Sequence, residues 1–197
     1  MPGHMIHLLV AKKVYPNAGV DFFVGTLAPD TNAPYISPER SKKDKIHLVG
    51  APDMETALRE FASLANNDYL KGFLLHLYVD WKWNTTYLAE FVSKTKESSQ
   101  EWYPAYDLEN RKMTSYAYYS TEWASDLFEQ MENWDCSGFA ETEFITEEIA
   151  KDWILSVKKW LADNILEPST AFTPDLLEKF ATDTAIDFAR WFSCAVR

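Results

Sequence analysis

Along most of the chain, apolar residues recur every three or four positions, the period of an amphipathic helix. HMIHLLVAKKV predicts a short helix stopped by Pro16-Asn17-Ala18-Gly19, and DFFVGTLAPD predicts a second short apolar segment ending at Pro29-Asp30. Residues 31–46, with Pro34, Pro38 and the charged RSKKDK, read as a loop. Between Asp53 and Asn66, residues Met54, Leu58, Phe61, Leu64 and Ala65 fall at helical spacing. From Tyr69 to about Lys94 the pattern predicts a central helix that is apolar nearly all round in its first half, as an element buried among others must be. Two further helices are predicted over 107–133 and 146–166, the second capped by Thr146 with Glu147 and Glu148 in its first turn, where acids complement the helix dipole. The last begins at Thr173-Pro174-Asp175, with proline at the first helical position, and aligns Leu177, Phe180, Ala181, Thr184, Phe188, Trp191 and Phe192. The expectation is an all-α, single-domain, multi-helix bundle spanning residues 1–197.

Composition narrows the function classes. Hydrophobic residues make up 47% of the 197, aromatics 15%, and there are only six glycines, which argues against disorder and against a loop-rich β architecture. Net charge is −11, but residues 1–100 carry 11 basic against 11 acidic residues, while 101–150 carry 2 against 12. The acidity is local, and without a basic stripe nucleic-acid binding is not expected, because phosphate neutralisation supplies most of that affinity. Cys136 and Cys194 form neither a disulfide framework nor a thiolate metal motif. The N-terminus lacks a basic leader and a small-residue cleavage site, and no apolar run reaches the roughly 18 residues of a membrane span, so a cytoplasmic protein is expected.

Candidate chemistry concentrates in the first half. All four histidines, His4, His7, His47 and His76, lie within the first 80 residues. In GFLLHLYVDWKW, residues 72–83, His76 and Asp80 stand one helical turn apart and share a face. An ionised carboxylate in so apolar a run costs several kcal/mol unless a counter-charge or hydrogen bonds compensate, and a divalent cation is one such counter-charge. A helical ion pair or a hydrogen-bonded core pair is the other reading. Gly72, a turn before His76, leaves space for another chain segment or a ligand. Asp30, after Ala28-Pro29, reads equally as a turn or cap residue, and His47 as half-buried filler. His4 and His7 share a face that spacing alone does not rank.

Taken in order, these residues resemble a family. The N-terminal MPxxMIHLL with His7, GTLAPD with Asp30, a downstream His47 and a Gly-x-x-x-His-x-x-x-Asp helix look like the zinc-dependent phospholipase C-like hydrolases, more narrowly their short bacterial members. The resemblance covers about residues 1–92 by motif. It implies the all-helical zinc-dependent phospholipase C/nuclease fold and makes His7, Asp30, His47, His76 and Asp80 metal ligands, with His4 matching no motif position. With four histidines in total, it implies one or two zinc ions.

Imidazole with carboxylate suits Zn²⁺, and also Fe²⁺, Mn²⁺ or Ni²⁺. The expected activity is hydrolysis of a small-molecule or lipid phosphoester by a metal-bound hydroxide, with Asp30 also in a catalytic role. Glu122, one turn from Asp126, is a candidate general base or second-metal ligand if it points inward, and otherwise part of a solvated acidic face. The stretch 101–123 offers an aromatic wall, including Tyr119 and Trp123, with Arg111 to meet a phosphate; aromatic core packing is its alternative. An HD-type phosphohydrolase needs adjacent His-Asp, which the chain lacks. The remaining rival is a non-catalytic helical scaffold or partner-binding protein with a structural or degenerate metal site.

Overall fold

The computed structural model describes residues 1–31, 40–97, 101–142 and 144–196, and it is all-α. The helices are α1 (His4–Val14), α2 (Val20–Leu27), α3 (Arg40–Ile46), α4 (Met54–Leu64), α5 (Asp68–Trp83), α6 (Ala89–Glu97), α7 (Trp102–Tyr119), α8 (Ala124–Glu132), α9 (Glu147–Asp163) and α10 (Pro174–Ala195). A 3₁₀ turn, Ala28–Asp30, extends α2, and a π-helical turn, Asn84–Leu88, joins α5 to α6. Among the described residues there is no strand, only an isolated bridge between Thr142 and Ile145. No described helix is long and apolar enough to cross a membrane.

Local signals set several helix starts. The side chains of Asp53, Asn67, Thr146 and Thr173 each accept a hydrogen bond from a first-turn amide, satisfying donors that the helix cannot. The predicted central helix is realised as α5, the π turn and α6. Thr85 and Thr86 return hydroxyl hydrogen bonds to the carbonyls of Trp81 and Lys82, a competition for backbone acceptors that accompanies the widened turn. The predicted helix 107–133 is instead two. α7 starts earlier, at Trp102, and ends where the Ser120 hydroxyl donates to the Tyr116 carbonyl, before a turn over Thr121–Trp123 leads into α8. The charged run read as loop forms α3 over 40–46, and the remainder of that expected loop, 32–39, lies outside the described residues.

α5 is the axis of the bundle. Tyr69, every residue from Gly72 to Asp80, and Trp83 are buried, as the all-round apolar pattern requires. Its closest partner is α2. A Cβ built on Gly72 would sit 2.0 Å from the Phe22 carbonyl oxygen, and one on Gly25 would sit 2.0 Å from that of Tyr69. Two glycines facing each other's backbones thus let the helices meet without intervening side chains. The chain segment that approaches Gly72 is α2, through Phe22 and Thr26. This approach brings the backbone of Thr26 against the face of α5 that carries His76.

Candidate metal centre

Four elements deliver the chemistry to one point. α1 supplies His4 and His7, the 3₁₀ turn supplies Asp30, the residue after α3 supplies His47, and α5 supplies His76 and Asp80. All except His4 are buried. His47 Nε2 lies 3.2 Å from His76 Nε2, 3.5 Å from Asp30 Oδ1 and 3.6 Å from Asp80 Oδ2, and His76 Nε2 lies 3.5 Å from Asp80 Oδ2. His7 Nε2 approaches Asp80 Oδ1 at 3.4 Å, and its ring stacks on that of His76 with centroids 3.9 Å apart. The donor atoms fall into two overlapping groups, His7–His76–Asp80 and Asp30–His47–His76, each tight enough to hold one ion.

Backbone carbonyls fix the tautomers. His76 Nδ1 is 2.8 Å from the Thr26 carbonyl oxygen, and His47 Nδ1 is 2.8 Å from that of Lys43. A carbonyl only accepts, so both Nδ1 atoms carry the proton. With both rings neutral, the two Nε2 lone pairs confront each other across 3.2 Å, and only a proton or a cation between them turns repulsion into attraction. A carbonyl accepting from the far ring nitrogen is also how metal-binding imidazoles are commonly oriented.

The electrostatics follow from burial. Desolvation would raise both carboxyls, but the charge on His76 holds Asp80 below the usual carboxylate range, and Lys43 does the same for Asp30. Lys43 Nζ donates to Asp30 Oδ1 at 2.8 Å. Burial also works against charge on His76, yet Asp80, Asp30 and the Thr26 carbonyl outweigh it and its pKa rises. For His7 burial wins, reinforced by His76, and its pKa falls to about 4. Both ring nitrogens of His7 and both carboxylate oxygens of Asp80 are buried without an aligned hydrogen-bond partner among the described residues. Polar atoms buried in this way cost free energy unless a charge or an aligned donor meets them.

Two cavities open on the cluster. The smaller, about 480 Å³, has His4, Asp30, Lys43 and Arg111 on its walls, with Trp153 and Trp160 of α9. The larger, about 710 Å³, reaches His47 and Asp80 and is walled by Leu77, Trp81, Trp102, Tyr103 and Tyr106, with Asn84, Thr85 and Leu88 from the π turn. Lys43 and Asn110 line both.

The five residues singled out as ligands therefore converge, but three other expectations do not. Glu122 is exposed in the turn between α7 and α8, on neither cavity wall and in neither donor group, so the fold does not bring it to the cluster. Tyr119 spends its hydroxyl on the Leu161 carbonyl, tying α7 to α9. Trp123 packs half-buried against the core with the Lys12 ammonium over its ring. None of the three lines either cavity. Arg111 does line the smaller cavity, where Asp107 pairs with it at 2.9 Å.

The structure adds three groups. His4 Nδ1 stands 3.8 Å from Asp30 Oδ2, with its ring edge-on to Trp153. Its position three residues before His7 was the available signal, but that only placed the two on a common face. Lys43 was hidden inside a run that reads as solvated loop. The Thr26 carbonyl carries no side-chain signal at all. Compared with known protein families, with curated proteins and with solved structures, the chain matches none.

Proposed function

We propose that the cluster holds a divalent metal ion, zinc by the chemistry of its donors, and that the protein is a metal-dependent hydrolase of phosphoesters. The observation that carries this is the pair of Nε2 atoms at 3.2 Å, both oriented by carbonyls and both flanked by carboxylates. Bonds of about 2.0–2.2 Å to nitrogen and oxygen separate neighbouring donors by about 3.0–3.6 Å in tetrahedral or octahedral arrangements. The spacings here, 3.2 to 3.6 Å, fit that window, whereas they are long for hydrogen bonds. Mixed imidazole and carboxylate donors suit Zn²⁺, and the resemblance to the zinc-dependent phospholipase C-like hydrolases points the same way.

Such an ion supplies an activated water and a Lewis acid for the scissile group. The chain's own residues do the rest. His47 and His76 would offer it their Nε2 lone pairs, Asp30 and Asp80 would neutralise its charge, and His7 would add a donor on the α1 side. The aromatic wall of the larger cavity suits an organic substituent, and the smaller one, with Lys43 and Arg111 among its lining residues, suits the anionic end of the substrate.

Metal analysis of the purified protein and of Zn²⁺-titrated apoprotein tests the reading. Wild type should take up metal stoichiometrically, while His76→Ala and Asp80→Ala should each weaken binding by at least 100-fold and keep their helical circular dichroism. Chelator-sensitive hydrolysis in a screen of phosphomonoesters, phosphodiesters and phospholipids completes the case. Wild-type protein that takes up no metal favours the scaffold alternative, in which His47 and His76 share a proton.

A further inference from the structure

We propose that Lys43 is a substrate-binding residue whose ammonium takes a phosphoryl oxygen beside the ion, so that the site selects esters carrying an anionic oxygen over neutral ones. The inference rests on the metal-dependent hydrolase reading and deepens it. Lys43 Nζ and His47 Nε2 approach the same atom, Asp30 Oδ1, at 2.8 and 3.5 Å. With a metal–oxygen bond of about 2.1 Å, an ion bound to that oxygen lies within about 5 Å of Nζ. One phosphoryl group can therefore touch both through different oxygens, a use to which lysine is suited as a point charge.

Position and charge argue against a purely structural role. The Lys43 side chain is 10% exposed, yet it lines both cavities, so a ligand entering from either side meets it. As a counter-charge for Asp30 it is redundant once a dication is bound, and a buried ammonium next to a dication is repelled by it. An anionic oxygen between the two outweighs that repulsion, because it attracts both at shorter range. The geometry around it is held by the chain: the Lys43 carbonyl orients His47, so the residue that presents the ammonium also aims an imidazole of the cluster.

The test uses the zinc-loaded full chain and measures metal content together with calorimetric titration of inorganic phosphate and phenyl phosphate. Lys43→Met should keep its zinc, and bind it at least as tightly, because a competing cation has gone. It should lose at least ten-fold in affinity for both anions. Lys43→Arg should retain most of the affinity, since its charge is kept. If Lys43→Met does not fold, Lys43→Gln, which can still donate to Asp30, carries the same expectation. A zinc-loaded Lys43→Met or Lys43→Gln with unchanged phosphate affinity overturns the assignment to Lys43 while leaving the hydrolase reading intact. Weakening for inorganic phosphate but not for phenyl phosphate overturns its assignment to the substrate. Wild type without zinc overturns both readings, and the metal assay alone reports it.

Discussion

At the scale of single residues, hydrogen-bond satisfaction separates side chains that have finished their work within the fold from those that have not. Glu109 is of the first kind. One of its carboxylate oxygens accepts from the Ser169 hydroxyl and from the amides of Thr170 and Ala171, pinning the loop before α10 to α7. Burial would raise its pKa, but these donors outweigh burial and lower it. A depressed folded-state pKa means stability that is fully present above the unfolded value and is lost as pH falls through the folded one. Glu109→Gln should therefore cost about 1 kcal/mol at neutral pH, with the gap to wild type closing below about pH 4, in urea titrations from pH 3 to 7. A gap independent of pH would show that the charge is not what the loop uses. His7 and Asp80 are of the second kind, since their polar atoms are buried without aligned partners. The residue types needed at the cluster were legible because imidazoles and carboxylates stand out in apolar sequence. Lys43 was not, because a lysine in RSKKDK looks like its exposed neighbours until α3 turns it inward.

At the scale of elements, the decisive contact is the crossing of α2 and α5. It rests on Gly25 and Gly72, and it places the Thr26 carbonyl on His76 Nδ1. Gly72→Ala should destabilise the protein by about 2 kcal/mol or more, because the new methyl meets backbone rather than a side chain that can rotate away. It should also weaken metal binding by separating Thr26 from His76. Gly19→Ala is the control: nothing lies within 4 Å of its added Cβ, so thermal melts should move little. Equal, small effects of both substitutions would show that the crossing tolerates being pushed apart. The helices themselves were largely readable from periodicity and caps, as α4, α5, α9 and α10 show. The break at Ser120 was not, since the apolar spacing continues across it and only a hydroxyl bonding back to Tyr116 marks it. α3 escaped for the opposite reason: it has almost no apolar face to be periodic.

At the scale of the molecule, donors separated by up to 73 positions, from His7 to Asp80, meet at a single point between helices, and two cavities lead to it. That convergence could not be read from spacing, which relates His76 only to Asp80. Among the described residues, no acid of 101–150 joins the two donor groups, whose members all come from the balanced first half of the chain. An ion held this way links α1, the 3₁₀ turn, the end of α3 and α5. The position of that ion is measured by anomalous diffraction at the zinc edge from crystals of the zinc-loaded protein. A peak should lie within about 2.0–2.2 Å of both His47 Nε2 and His76 Nε2, with Asp30 and Asp80 in its coordination sphere. A well-ordered cluster with no peak between those two nitrogens, or zinc found only on the acidic surface, would contradict it.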